Sequence, residues 1–295
     1  MCYNQFMELK KGDKIGIVAL AGACDKDAMS FAGEYFSSLG YEIEFSKNIN
    51  DGYAYFAGSD EDKISELHRF YSDPSIKLIM NARGGYGSIR LLDKIDYKLI
   101  KKNPKPFVGY SDITAILLMI YKKTGLITYH GPMFCPDFAG EAFRKDNFDY
   151  MQNALNGKSI TLCGNKVYKE GKAKGIIWGG NLTTMATLCG QDFIPKKDFI
   201  LFAEDLNEPV YKIDRMLQQL LNIEQFRKKC KGIVFGEFLN TDNEEWLEKY
   251  FINLVKRYPI PMAGGFNITH SGVKITIPIG VKATLHDSNL VIESY

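Results

Sequence analysis

The chain is predicted to be an α/β protein, with a parallel sheet in its first half and a smaller mixed domain behind it. Three observations predict this. From Lys14 to about residue 155, short apolar runs alternate with segments of helical period. A stretch rich in Gly, Lys and Asn then breaks the alternation from Asn156 onward. Past residue 174, strand-like and helix-like segments resume and finish in short strands divided by turns. The domains are therefore drawn as 1–155, a linker at 156–174, and 175–295.

Lys14 to Ala21 reads as a buried strand. Asp25 or Asp27 caps a helix whose Met29, Ala32, Phe36 and Leu39 share one face, and Gly40 stops it. Tyr41 to Phe45 is the second strand, and Asp60 opens a helix with Ile64, Leu67 and Tyr71 at helical spacing. Ile76 to Ala82 is a strand, and Ser88 opens a short helix through Leu92. Pro106 to Tyr110 is a strand that runs into a nearly all-apolar helix from Asp112 to Lys123, closed by Lys122, Lys123 and Gly125. Beyond the linker, strands are expected at 174–178, 199–204 and 232–237, and helices at 182–188, 210–221 and 243–257. The segment 274–293 reads as short strands with turns at Gly280 and Asp287-Ser288.

Composition excludes several function classes. At 295 residues, 45% apolar and 24% charged, the chain has the make-up of a soluble globular protein. The net charge is +2 and the lysine pairs are scattered, so the basic stripe of a nucleic-acid binder is missing. The six cysteines are irregularly spaced with no C-x-x-C pair, which argues against zinc or a disulfide framework and for a reduced, cytoplasmic protein. No apolar run reaches the roughly 18 residues of a membrane helix. The run Ile15 to Cys24 is read as the first strand rather than a signal segment.

Two junctions where strands end and helices begin could carry chemistry, because ligands gather there in parallel sheets. In Phe107-Val108-Gly109-Tyr110-Ser111-Asp112 an apolar strand runs straight into a serine and a helix starts at once. A hydroxyl on so sharp a turn is exposed at the sheet edge, beside the free N–H groups and positive dipole end of the helix. That is the logic of a nucleophile elbow, although residue 113 is Ile where G-x-S-x-G has glycine. A plain helix cap at Ser111 or Asp112 fits the hexapeptide as well. The second junction is Ala82-Arg83-Gly84-Gly85-Tyr86-Gly87. Its glycines allow close backbone approach, either as a tight turn or as an oxyanion hole in which the N–H groups of Gly85 and Asp112 hold a carbonyl oxygen. Arg83 could then bind a substrate carboxylate.

A serine nucleophile needs a base and the base an orienting acid. His68 lies within a helix and His286 in a terminal turn, which leaves His130 and His270. His270 sits in the polar, glycine-flanked loop from Gly264 to Gly272. Glu204 is the first charge after the apolar strand Ile200 to Ala203 and could be buried against an imidazole. It could equally begin an acidic loop that caps the next helix.

Together these segments resemble the L,D-carboxypeptidase family of serine peptidases, which includes microcin-immunity peptidases. The matching stretches are Gly12 to Val18, Ala82 to Gly87, Gly109-Tyr110-Ser111-Asp112, Gly179-Gly180-Asn181-Leu182, Glu204-Asp205, Asp214-Arg215 and Ile277 to Gly280. The resemblance implies a flavodoxin-like N-terminal domain, a β/β/α swivelling C-terminal domain, and often a homodimer. It implies a triad of Ser111, Glu204 and His270, an oxyanion hole at Gly85 and Asp112, and substrate contacts from Arg83, Gly84 and Asn181. It also implies a cytoplasmic enzyme without cofactor that removes terminal D-alanine from cell-wall tetrapeptides, with no nucleic-acid or membrane partner. Three rivals stay open: an immunity peptidase acting on a peptidyl or aminoacyl nucleotide, a cysteine hydrolase built on Cys135 and His130, and a non-enzymatic anion-binding module of the same fold.

Overall fold

The computed structural model describes residues 8–140 and 143–295. The chain divides into two units, residues 1–157 with 272–278 and residues 158–271 with 279–295. The elements of the first unit are β1 (Lys14–Val18), α1 (Lys26–Ser38), β2 (Glu42–Phe45), β3 (Gly52–Tyr53), β4 (Phe56–Ala57), α2 (Asp60–Ser72), β5 (Ile76–Asn81), α3 (Tyr97–Lys102), β6 (Phe107–Gly109), α4 (Thr114–Thr124), β7 (Thr128–His130), α5 (Phe134–Phe138) and α6 (Lys145–Leu155). The second contains β8 (Ile160–Cys163), β9 (Lys166–Lys169), β10 (Lys172–Asn181), α7 (Leu182–Thr187), β11 (Phe199–Leu206), α8 (Val210–Asn222), α9 (Glu224–Lys229), β12 (Cys230–Leu239), α10 (Glu244–Arg257) and β13 (Met262–Gly264). The chain then returns to the first sheet through β14 (Ile277–Ile279) and ends in the second with β15 (Lys282–His286) and β16 (Asn289–Ile292).

The first sheet has the order β14-β7-β6-β5-β1-β2. The pairs β1–β2, β1–β5, β5–β6 and β6–β7 are all parallel. Such strands are covered on both faces, which is why Ile15, Ile17, Leu78, Ile79, Phe107 and Val108 are fully buried. From β1 the chain goes first to one side and then to the other, so the strand order reverses between β1 and β5. The carboxyl ends of these two strands bound the crevice where such sheets take ligands.

Asn81 fixes that crevice. It is fully buried at the end of β5. Its Oδ1 accepts the Leu20 N–H at 3.2 Å, and its Nδ2 donates to the Arg83 carbonyl at 2.6 Å. One side chain thus joins the exit of β1 to the turn that leaves β5.

The second sheet runs β8-β16-β15-β10-β11-β12-β13-β9. Its centre from β10 to β13 is parallel and its flanks are antiparallel. Trp178, Phe193, Phe199 and Phe226 form an aromatic cluster in its core. Among the described residues, no helix is long and apolar enough to cross a membrane.

The structure differs from the sequence reading in several places. The expected linker at 156–174 holds β8, β9 and the start of β10, and β8 and β9 are the two edges of the second sheet. Edge strands pair through their backbones and bury few side chains, so they leave little apolar alternation. Residues 272–278, expected in the second domain, belong to the first unit. In α2 the buried face carries Lys63, Leu67, Phe70 and Tyr71 rather than Ile64. The α3 helix was not anticipated, although Asp96 caps it by accepting from the N–H groups of Lys98 and Leu99.

Replacing Asn81 by Leu would leave the Leu20 N–H and the Arg83 carbonyl without their partner. Chemical denaturation is expected to show a loss of about 2–4 kcal/mol for Asn81→Leu, from two unsatisfied buried groups. A loss below ~0.5 kcal/mol would contradict the bridging role.

Candidate active site

Ser111 stands between β6 and α4 with φ +60°, in the left-handed region that a non-glycine residue rarely enters. Residues Ser111–Ile113 form one 3₁₀ turn ahead of α4. The Ile113 N–H donates to the Tyr110 carbonyl at 3.1 Å, and the Asp112 N–H precedes this first bond of the turn. Gly109 gives the turn room: a Cβ there would lie 2.9 Å from the Ile113 side chain.

The glycine turn after β5 is tied to this elbow. A Cβ on Gly84 would lie 3.2 Å from both Cβ and Oγ of Ser111. The Ser88 N–H donates to the Asp112 carboxylate at 2.8 Å, and the Ser88 hydroxyl donates to the Asp112 carbonyl at 2.5 Å. Burial pushes the Asp112 carboxyl up, while the N–H groups of Ser88 and Gly87 and the charge of Lys63 pull it down. The two turns therefore behave as one piece. On its other side the glycine turn meets the exit of β1, where the Gly22 N–H donates to the Gly84 carbonyl at 3.2 Å. Arg83 extends over that exit and donates to the Ala23 carbonyl at 3.2 Å. Here a cleft of about 620 Å³ opens at the switch point of the sheet, bordered by Gly22, Ala23, Arg83, Gly85, Tyr86 and the β3–β4 hairpin.

In the second unit, β11 carries Glu204 at a bulge, where the register with β12 shifts between Ala203 and Asp205. Glu204 is fully buried, and its Oε2 lies 2.6 Å from His270 Nδ1. A carboxylate acceptor at Nδ1 places the proton of a neutral imidazole there and the lone pair on Nε2. The loop around His270 is pinned on both sides. The Glu237 N–H donates to the Ile268 carbonyl at 2.9 Å, the Thr269 hydroxyl donates to the Glu237 carboxylate at 2.5 Å, and the Ser271 N–H donates to Thr269 Oγ1 at 3.1 Å. Gly236 allows the approach, since a Cβ there would fall 2.3 Å from the Ile268 carbonyl oxygen.

Comparison with known proteins decides the family. Residues 15–131 match the LD-carboxypeptidase N-terminal domain and residues 174–285 the LD-carboxypeptidase C-terminal domain of peptidase family S66. The chain is 32% identical to the probable murein peptide carboxypeptidase of Bacillus subtilis strain 168, over 97% of this chain and 93% of that one. The chain belongs to the LD-carboxypeptidase family. It is also 28% identical to the microcin C7 self-immunity protein MccF of Escherichia coli, over 95% of this chain and 92% of that one. It superposes on the muramoyltetrapeptide carboxypeptidase of Oxalobacter formigenes with a TM-score of 0.86 and 28% identity, covering 96% and 99% of the two chains. The α/β fold expected from the sequence is the fold of these proteins, and the family makes the chain a serine peptidase with a carboxypeptidase role.

Within this fold the other sequence candidates fall into place. Asn181 is the N-cap of α7: its Oδ1 accepts from the N–H and hydroxyl of Thr184, and its Nδ2 donates to Asp205 at 2.9 Å. His68 accepts the Asp96 N–H at 2.9 Å, and His286 is a surface residue 3.8 Å from Asp287. His130 is buried edge-on to Tyr110. Cys135, the nucleophile of the rival reading, is buried, and its hydrogen bond with Cys24 together with burial pushes the thiol far up. A thiol held protonated is a poor nucleophile. Sequence reasoning missed Ser88 as a tether, Asn81 as a bridge and Glu237 as a loop anchor. A polar Asn closing the apolar strand I-K-L-I-M-N was the available signal for Asn81.

Gly236→Ala would push the His270 loop off β12. It is expected to lower turnover about a hundredfold, the order of loss a ~1 Å misplacement can cause. Steady-state kinetics beside a thermal unfolding curve checks this. Unchanged turnover in a folded variant would detach the loop from the chemistry.

Proposed function

We propose that the protein is a serine carboxypeptidase that hydrolyses an L,D-peptide bond and releases terminal D-alanine from cell-wall tetrapeptides. It would act in the cytoplasm, as a homodimer, in the recycling of peptidoglycan. The observation that carries the reading is the serine held at φ +60° on a strand-to-helix elbow beside a glycine turn. The Glu204–His270 pair supports it by supplying an oriented base.

In this mechanism Ser111 Oγ attacks the amide carbonyl while Nε2 of His270 takes its proton, which requires the two atoms to come within hydrogen-bond reach. Glu204 holds the ring and balances the imidazolium. The N–H groups of Gly85 and Asp112 receive the oxyanion, an interaction worth about a hundred- to a thousand-fold in rate per donor. His270 then protonates the leaving amine, and water releases the acyl group by the reverse route. Arg83 pairs with the terminal carboxylate and so restricts cutting to the last residue.

A second reading, cleavage of a peptidyl or aminoacyl nucleotide, draws on the similarity to MccF at 28% identity. The relative at 32% identity, named for a murein peptide, favours the first. A tetrapeptide ending in D-alanine and an aminoacyl nucleotide, incubated side by side and read by mass spectrometry, separate the two. The tetrapeptide is expected to lose D-alanine, and Ser111→Ala is expected to lower kcat by roughly a thousandfold or more. Normal turnover by Ser111→Ala would end this mechanism.

A further inference from the structure

The chain returns to the first unit directly after the histidine loop: Ser271 belongs to the second unit and residues 272–278 to the first. Gly272 turns the chain at φ +69°, and a Cβ there would meet nothing within 4 Å. Two residues later the chain is gripped. Lys274 is buried, with its side chain 4% exposed, and so is its partner Asp137. Lysine is almost never buried this fully unless it is paired. The mechanism above gives this pair no part.

The elements that hold Lys274 also frame the nucleophile. Its N–H donates to Asn147 Oδ1 on α6 at 2.7 Å, and Asn147 Nδ2 donates to the Asp137 carbonyl on α5 at 3.1 Å. Its Nζ lies 3.7 Å from Asp137 Oδ1, while Asp137 Oδ2 accepts the Met133 N–H at 2.7 Å. The same Nζ sits 5.1 Å from the centre of the Tyr110 ring, and Tyr110 immediately precedes Ser111. Met133 reaches the glycine turn: a Cβ on Gly84 would lie 3.4 Å from its methyl group, and Asn81 Nδ2 is 3.7 Å from its sulfur. The next hold on the chain is Thr276, which is fully buried against Gly131, where a Cβ would lie 2.7 Å from Thr276 Oγ1.

We propose that Lys274 is a positioning residue: its pairing with Asp137 moors the chain that carries the base to the frame that carries the nucleophile. The proposal rests on the reading above in which His270 serves Ser111. Four positions separate His270 from Lys274, so their Cα atoms stand at most ~14 Å apart. With the mooring lost, the limit passes to Thr276 and grows to ~22 Å. A base on the longer connection spends less time within hydrogen-bond reach of the serine hydroxyl. A buried charge pair also resists half-release, because either partner alone would be an uncompensated charge in the interior.

The test compares the wild type with two variants. Lys274→Met/Asp137→Asn removes both charges and leaves neither unpaired. The other variant keeps the pair and carries two extra glycines between Ser271 and Gly272, which lengthens the connection by up to ~7 Å. Each is assayed for kcat and KM on the tetrapeptide ending in D-alanine and for the rate at which a serine-directed phosphonate labels Ser111, beside thermal unfolding. Both variants are expected to lower kcat and the labelling rate roughly ten- to a hundredfold, with KM within about twofold of the wild type. A lysine that only stabilised the fold would give no response to the insertion. Wild-type kcat and labelling in the folded double variant, or in the insertion, would overturn the mooring; if the double variant does not fold, the insertion decides. If the wild type leaves the tetrapeptide whole while Ser111 is labelled, the proposed substrate fails and the labelling rates alone decide the mooring. If Ser111 of the wild type is not labelled, the mechanism and the mooring fall together.

Discussion

The left-handed backbone at Ser111 is the constraint on which the nucleophile side of the site depends. A non-glycine residue held at φ +60° costs on the order of 1–3 kcal/mol and persists only where its surroundings over-determine it. Here they do. Gly109 removes the side chain that would collide with Ile113. Ser88 grips Asp112 at two points, one on the carboxylate and one on the backbone carbonyl. The return is geometric: the hydroxyl stands at the end of a buried parallel strand, with the start of a helix immediately behind it. The glycine turn approaches so closely that Gly84 has no space for an unshifted side chain.

The second unit follows the same rule with different parts. Glu204 and Asp205 are neighbours on β11, yet their surroundings give them separate work. Asp205 accepts from Asn181, Thr183 and the Leu206 N–H, and so is spent on the cap of α7. Burial pushes its carboxyl up, and those hydrogen bonds draw it back. Glu204 faces the imidazole of His270. The bulge against β12 lets adjacent residues of one strand serve these two ends. Gly236 and Glu237, on the opposing strand, then hold the loop that carries the histidine.

Much of this was legible in the sequence because it rests on unbroken apolar runs. The strands around Ile15, Leu78, Val108 and Leu201 are buried along most of their length, and such runs stand out. The elbow was legible because a strand, a serine and a helix follow one another within six residues. The pieces that were not legible depend on long-range pairing. The strands β8 and β9 form edges through backbone bonds, and Leu162 is the one buried side chain in the two of them. Asn181, expected as a substrate contact in the motif Gly179-Gly180-Asn181-Leu182, also caps a helix with its side chain. Lys63 lies on the buried face of α2, where Asp60 one turn before it and the Phe56 ring receive its charge.

Covalent capture of the nucleophile tests the central claim most directly. The protein would be treated with a serine-directed phosphonate, and the modified residue located by peptide mass spectrometry. The account predicts a single adduct on Ser111, formed at least about tenfold more slowly in Asp112→Ala, in which the tether to Ser88 is weakened, while thermal unfolding confirms that this variant is folded. An adduct on another residue, or labelling of Ser111 that ignores loss of the Asp112 carboxylate, would contradict it.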